Sequence, residues 1–284
     1  MNLKIIVVIY KKSLSCSATL MSLIKQGKDE EISGELIIYD NSPLTMYEPG
    51  IIEKLEHMFS ITYNHTPKNL TLREIYNFEI ETIELDDYIL FLDDDTNLPV
   101  NYLSDALKFI NTKPHIYLFT PLIYTRDKLY SPHKSYSFIS KPLKEIVCGI
   151  CSTKNYSAIN SGMIVKGEYF IKSGFRYPSF VDFYGTDKVF FDYYSSLHNE
   201  FYIMDLHVEH DVSNHPQNSS NEEYVKVLNN VNMFWIRYLA RQKKSVFLYR
   251  VFMLLYALKI SVEKRDFIFL NQALTLGCTN EKRS

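Results

Sequence analysis

Short apolar runs rich in β-branched residues alternate with longer amphipathic stretches up to residue 92, and this alternation constrains the fold more than any other feature of the chain. Lys4 to Tyr10, with Ile5, Ile6, Val7, Val8 and Ile9 in succession, reads as a buried first strand too short to span a membrane. Residues 11–25 carry Leu14, Ala18, Met21 and Leu20, Leu23, Ile24 at helical spacing, with Gly27 as a stop. Glu35 to Tyr39 is a second strand that runs into Asp40-Asn41-Ser42-Pro43. The pattern then predicts a helix over 49–58, a strand over 60–64, a helix over 70–84 and a fourth strand over 87–92. Such an order predicts an α/β fold, a mostly parallel sheet covered by helices, with ligands gathering at the carboxyl ends of its strands. Tyr10, Asp40 and Asp93 all fall at those ends, which points to a bound nucleotide.

The fourth strand delivers Phe91-Leu92-Asp93-Asp94-Asp95-Thr96-Asn97. Three adjacent carboxylates repel one another and resist burial, so they need bulk water or a cation. On an extended chain Asp93 and Asp95 share one side while Asp94 points the other way, a spacing that suits one divalent metal held by the outer pair. A solvated acidic turn is the plainer account of the same three residues.

Composition excludes several classes. At 284 residues and 46% hydrophobic the chain builds a sizeable core, and 31 basic against 33 acidic residues leave a net charge of −2 that suggests no nucleic-acid partner. Cys16, Cys148, Cys151 and Cys278 are too scattered for a disulfide framework, and no signal peptide precedes them, so a reducing, cytoplasmic setting is expected. Cys148 and Cys151 have C-x-x-C spacing without a second pair or a His cluster, and are read as coincidence. With nine Gly there is neither G-x-G-x-x-G nor a Walker loop, so a phosphate must be met by other means.

Beyond a helix over 99–111 and a strand over 116–119, residues 122–157 lose periodicity and read as a long surface excursion with the aromatic content of a binding surface. Strand character returns over 157–165, and a helix is expected over 167–174. Asp182 and Asp187 flank Gly185-Thr186 ahead of an aromatic helical run, where Thr186 or Asp187 could simply cap the helix. Phe201 to Met204 is a strand leading to His207 and His210, and a helix follows over 221–243. Residues 245–262 form an apolar helix with Arg250 and Lys259 inside it and basic flanks, read as lying in a membrane interface or packing on the domain. The tail after Asn271 carries little signal.

Taken in order, these features resemble a family 2 glycosyltransferase with the nucleotide-diphospho-sugar transferase (GT-A) fold, close to bacterial rhamnosyltransferase-like members. The resemblance rests on the opening strand to Tyr10, Asp40-Asn41-Ser42, the Asn69 to Asn77 stretch, Asp93-Asp94-Asp95, Asp182 with Gly185-Thr186-Asp187, and His210-Asp211. It implies a catalytic domain over 1–218, with a nucleotide-binding half at 1–97 and an acceptor-binding half at 98–218, and a helical segment over 219–284. Tyr10, Asp40, Asn41, Asn69, Asn77, Asp93 and Asp94 would contact the nucleotide sugar, with Asp40 on the base. Asp93, Asp95 and His210 would hold Mn²⁺ or Mg²⁺, with His207 competing for the third place. Asp187 or Asp182 would take the proton of the attacking hydroxyl. The implied activity is inverting, metal-dependent transfer of one sugar to a glycan or lipid-linked acceptor in bacterial surface polysaccharide (O-antigen) synthesis, with peripheral membrane contact through 245–262.

The chemistry asks for the same residue types. A departing diphosphate needs a cation on oxygen ligands when no glycine cradle exists, and an attacking hydroxyl needs a carboxylate across the cleft. The chain departs from the family at Lys11 and Lys12, where relatives carry Asn, at Leu70-Thr71, and at Thr186 in place of Glu. It lacks Q-x-x-R-W, the only Trp being Trp235, which favours single additions over polymerisation. A haloacid dehalogenase-type phosphohydrolase would need Thr or Val at Asn97 and an earlier strand. A sugar-nucleotide binding protein without turnover would keep Asp93 and Asp95 and tolerate loss of Asp187.

Overall fold

Four parallel strands form the first half of the molecule: β1 (Asn2–Ile9), β2 (Ser33–Asp40), β3 (Ser60–His65) and β4 (Tyr88–Asp93), in the order β3-β2-β1-β4. Their register pairs Ile9 with Asp40 and Val8 with Asp93, so the carboxyl ends of β1, β2 and β4 lie level. The computed structural model describes residues 2–26, 33–210 and 220–279. The chain divides into two units, Met1–Asp211 and Val212–Ser284.

Helices α1 (Ala18–Leu23), α2 (Pro49–Glu56) and α4 (Tyr102–Thr112) cover one face of the sheet, where Leu20, Leu55 and Leu103 pack with Ile5, Val7, Leu90 and Leu92. Helix α3 (Leu72–Glu81), with α5 (Gly167–Ser173) and α6 (Thr186–Leu197), covers the other, where Ile75, Tyr76, Phe170 and Phe190 meet Ile6, Ile89 and Phe91. Burial on both faces is why β1 and β4 read as unbroken apolar runs. Alternation along β4 sends Asp93 toward the α3 and α6 side, with Phe91.

Residues 11–25 form less helix than their spacing predicts: a 3-10 turn at Leu14–Cys16 precedes α1. Serines explain the shortening, since Ser17 caps α1 through the Leu20 N–H at 3.3 Å and Ser13 and Ser15 pair with each other at 3.3 Å. The expected stop at Gly27 lies outside the described residues.

The stretch 122–157 is a correction. Instead of a structureless excursion it contains the end of β6 (Leu118–Thr125), then β7 (Lys128–Ser131), β8 (His133–Tyr136), β9 (Ile139–Lys141), β10 (Gly149–Ser152) and β11 (Tyr156–Ser157). Its turns use left-handed residues other than glycine, Arg126 and Asp127 at φ 49° and 60° and Ser137 at φ 58°, so the usual Gly signature of hairpins is missing. The two-residue strand β5 (Thr96–Asn97) and strands β12 (Met163–Lys166) and β13 (Glu200–His210) complete the main sheet, ordered β10-β13-β6-β12-β4-β1-β2-β3 with β5 on β13 and β7 on β6. β12 runs antiparallel between β4 and β6, while β13 is parallel to β6. β13 extends well past Met204, because Leu206 and Val208 point inward while Asp205, His207 and Glu209 alternate outward.

The second unit contains α7 (Asn221–Arg241), α8 (Val246–Lys264) and α9 (Ile268–Thr279), the last in a stretch with little sequence signal. A capping box of Ser220 and Glu223 opens α7. Tyr224, Val225, Ala257, Ile260 and Phe269 form its core, and Tyr249 donates to Asn232 Oδ1 at 2.7 Å. The other side of α8 presents Phe247, Leu248, Val251, Leu255, Leu258 and Val262 to solvent. No described helix is long and apolar enough to cross a membrane.

Candidate active site

The turn after β4 is fixed from below by α1. Thr19, fully buried, donates its hydroxyl to the Asp93 carbonyl and accepts from the Thr96 N–H at 2.9 Å, so one side chain bridges the two ends of the acidic turn. Ser17 Oγ donates to the Asp94 carbonyl at 2.9 Å. The side chains then diverge as the extended geometry requires. Asp94 turns to Lys12, 3.0 Å away, and burial raises its carboxyl pKa while Lys12 opposes the rise.

Asp93 and Asp95 face the strand pair β5–β13, which aligns Thr96 with His210 and Asn97 with Glu209. That pairing brings His210 across the sequence, its Nδ1 3.3 Å from Asp95 Oδ1 and its Nε2 4.0 Å from Asp93 Oδ2. One ligand atom from each of Asp93, Asp95 and His210 fits within 4.8 Å of the others. Asp95 Oδ1 is buried without a hydrogen bond, and burial pushes the carboxyl up to about 6, with Asp93 and Asp94 adding to the rise and His210 opposing it. A desolvated carboxylate oxygen without a hydrogen bond, beside an imidazole and a second carboxylate, is a donor set that a divalent cation satisfies, so the residues present fit Mn²⁺ or Mg²⁺. His207 lies outside this group, 64% exposed and 3.6 Å from Asp205. Asp211 lies outside the described residues.

Two buried neighbours hold this wall. Ser161 donates its hydroxyl to Asp93 Oδ2, and Tyr102 donates to the Gly162 carbonyl at 2.6 Å. Gly162 sits at φ 79°, and a Cβ there would meet Pro121 Cγ at 2.7 Å, so no other residue fits the crossing of β12's entry over β6.

Asp187 is the second residue of α6, after Gly185 turns the chain at φ 80°. Its Oδ1 accepts from the Lys188 N–H at 2.8 Å. Burial raises its pKa to about 6; the Lys188 N–H and ammonium oppose the shift, and the charge of Asp93 reinforces it. Asp182 is exposed, and its carbonyl accepts from the Arg73 N–H at 3.4 Å, tying this loop to the start of α3.

The residues expected at the nucleotide fall into two groups. Tyr10 is exposed, with Lys11 Nζ 5.0 Å from its ring centre, and Asn69 is exposed at φ 54°. Asp40, Asn41 and Asn77 are instead tied up inside the protein. Asp40 is fully buried: Oδ1 accepts from the Ser42 N–H at 3.0 Å and Oδ2 from the Met46 N–H at 2.7 Å and Tyr63 hydroxyl at 2.6 Å. Burial works to raise its pKa, but the bonds from Ser42, Tyr63 and Met46 outweigh it and hold the carboxyl below its ordinary value. These bonds organise the loop that follows Asp40, and Oδ1 carries one of them only. Asn41 bonds to the Leu70 carbonyl at 2.8 Å and to Thr66, and Asn77 grips the Tyr177 backbone through both ends of its amide, at 2.8 and 3.0 Å.

Sequence reasoning missed Ser17, Thr19, Asn160 and Ser161, and saw in Lys12 and Thr186 departures from the family without the contacts they make. The lysine carried a signal, as a departure from the family, but a buried Ser or Thr in an apolar stretch looks like any other.

Parallel strands ending in a carboxylate turn, joined through an antiparallel strand to a region with a carboxylate at a helix start, form the arrangement of a GT-A glycosyltransferase. Among solved structures, S. aureus TarS is similar at 18% identity and a TM-score of 0.55, covering 84% of this chain and 44% of that one. Its 1–349 segment matches at 14% identity and a TM-score of 0.55, covering 96% and 90%. GalNAc-T7 with UDP, GalNAc and Mn²⁺ matches at 15% identity and a TM-score of 0.55, covering 81% and 48%. The chain thus spans less than half of full TarS and of GalNAc-T7, and at these identities the likeness shows the fold. The sequence profile of glycosyl transferase family 2 matches residues 4–173, and the chain belongs to that family. No curated protein sequence gives a significant match.

Proposed function

We propose that the protein transfers one sugar, with inversion, from a nucleoside-diphospho-sugar to a hydroxyl of a glycan or lipid-linked acceptor, in a metal-dependent reaction. The observation that carries this reading is the cluster of Asp93, Asp95 and His210, in which a buried Asp95 oxygen lacks a hydrogen bond and the charge of Asp93 also reaches Asp187. Asp93, Asp95 and His210 would hold Mn²⁺ or Mg²⁺, which when bound supplies positive charge to the diphosphate leaving group. The loop fixed by Asp40 and Asn41, with Tyr10 and Asn69, forms the base side. TarS has been solved with UDP and with UDP-GlcNAc, which makes uridine nucleotides the first donors to test.

In the transfer, the acceptor oxygen forms a bond to the anomeric carbon as the bond from that carbon to the diphosphate oxygen breaks. The hydroxyl proton passes to Asp187, and nucleoside diphosphate departs. A carboxyl with its pKa near 6 is ionised at neutral pH yet basic enough to accept that proton. Asp182, on the exposed loop, positions the acceptor. Surface polysaccharide synthesis is the setting that the family resemblance suggests. A screen of nucleotide sugars for nucleoside diphosphate release, with Mn²⁺, Mg²⁺ or EDTA, tests the reading. Release that requires metal and acceptor supports it, whereas donor binding without release supports a sugar-nucleotide binding protein instead.

The solvent-facing apolar side of α8, with exposed Arg241, Lys243 and Lys244 just ahead of it, fits peripheral contact with an anionic membrane that presents a lipid-linked acceptor. Co-sedimentation with phosphatidylglycerol vesicles should fall when the three basic residues are neutralised. Absence of binding at low salt by the intact protein would refute the contact.

A further inference from the structure

Between the metal-type cluster and Asp187 lies a buried amide that neither role uses. Asn160 is 7% exposed, and its Nδ2 donates to Thr186 Oγ1 at 2.8 Å. Its Oδ1 is buried and has no hydrogen bond. The neighbour on one side, Ser161, holds Asp93, and the residue its amide grips, Thr186, immediately precedes Asp187. Tyr76 marks the same place from α3: besides burial, which dominates, its phenol feels the charges of both Asp93 and Asp187, which raise its pKa, and the nearby amide of Asn160, which opposes them. The backbone of Asn160 is also fixed, its carbonyl accepting from the Met163 N–H at 2.8 Å. An unpaired polar atom in such a rigid, buried place is costly, and a ligand that completes it is one reason for a folded protein to retain it.

We propose that Asn160 is a specificity-determining residue that hydrogen-bonds a sugar hydroxyl at the reaction centre, with Thr186 holding the amide in position. The ligand class follows from the chemistry. A hydroxyl both donates and accepts, so it satisfies the free end of the amide in either orientation, whereas an ionised phosphate oxygen only accepts and cannot satisfy the free Oδ1. The hydroxyl comes from the donor sugar or from the acceptor. A site built around a buried amide rejects a substrate that lacks the matching hydroxyl, because the amide is then left unpaired. This inference rests on the transferase reading above.

The test compares the full-length wild type with Asn160→Leu, which removes the polar end at similar volume, and Thr186→Val, which removes only the tether. Each is assayed with a nucleotide sugar found active in the screen, and with deoxy analogues of that donor and of the acceptor. Asn160→Leu should lower kcat/KM about 10- to 100-fold with the intact substrate and change little with the one analogue that lacks the recognised hydroxyl. Thr186→Val should give a smaller loss in the same pattern. Affinity for the nucleoside diphosphate alone, which has no sugar, should be unchanged. If a donor analogue is the one spared, the hydroxyl is the donor's; if an acceptor analogue is, it is the acceptor's. Variants that discriminate among all analogues as the wild type does overturn the proposal while leaving the transferase reading intact, and would assign the orphan atom to an ordered water. A wild type that turns over no nucleotide sugar overturns both.

Discussion

The two walls of the cleft are built on opposite principles. The acidic turn after β4 is over-determined: Thr19, Ser17 and Ser161 each spend a buried hydroxyl on it, and β5–β13 pairing adds His210. Asp187 instead stands at a helix start with only backbone N–H groups bonded to its side chain, those of Lys188 and of Asp187 itself, and a pKa set mainly by burial. The contrast suits the roles proposed for the two. A metal site tolerates little positional slack, so its ligands are fixed by a supporting shell. A general base needs a tuned proton affinity more than a fixed rotamer, and desolvation supplies that tuning. The first wall should fail through geometry and the second through pH.

The largest effect is expected from Asp95→Ala. It leaves a bound cation short of a ligand and the diphosphate charge unmet, which should lower kcat by about a thousandfold or more and weaken Mn²⁺ binding in parallel. Full activity of this variant in EDTA would remove the metal from the account. Asp187→Asn should follow, with kcat down roughly a hundred- to ten-thousand-fold while donor and Mn²⁺ affinities hold, and Asp182→Asn should lose less. The reverse ranking would move the base to Asp182.

Thr19→Val sharpens the comparison because Thr19 touches no ligand. It strands the Asp93 carbonyl and the Thr96 N–H, so the turn relaxes; kcat should drop about 10- to 100-fold with weaker Mn²⁺ binding, and Thr19→Ser should recover most of both. A Val variant that loses stability alone, with Mn²⁺ affinity intact, would break the claim that this wall works through geometry.

The smallest effect is on stability and runs opposite to activity. Asp187 has a folded-state pKa near 6, above its unfolded value, so its ionisation opposes folding as pH rises through that window. Asp187→Asn should therefore be more stable than wild type at pH 7.5, by on the order of 1 kcal/mol given its partial exposure, and no more stable near pH 4. Thermal melts at the two pH values check the sign.

Much of the first wall was legible in the sequence. β1 and β4 are buried on both faces and write themselves as apolar runs, and the spacing of Asp93 and Asp95 carries their shared direction. His210 could enter only through resemblance, since its approach depends on a two-residue strand pairing with the end of β13. The stretch 122–157 misled because its hairpins turn on Arg126, Asp127 and Ser137, which carry no glycine signature. Asp40 sits at a strand end, as its position in the sequence predicts, but nothing in the sequence shows that Tyr63 and the backbone of Ser42 and Met46 also bond to its oxygens. Strand position predicts which residues reach the cleft edge; it does not reveal which of them the protein has already used for its own loops.

The measurement that bears most directly on the two-wall account is the pH dependence of kcat/KM at two Mn²⁺ concentrations, for wild type and Asp187→Asn. Free Asp95 and Asp187 are both pushed up to about 6, yet only Asp95 is a proposed ligand, so proton and metal compete there and not at Asp187. The account predicts that at saturating Mn²⁺ wild-type activity still rises through about pH 6, that this limb does not move with further metal, and that Asp187→Asn lacks it. A limb that vanishes at saturating metal, or that persists unchanged in Asp187→Asn, would contradict the assignment of the base to the desolvated wall.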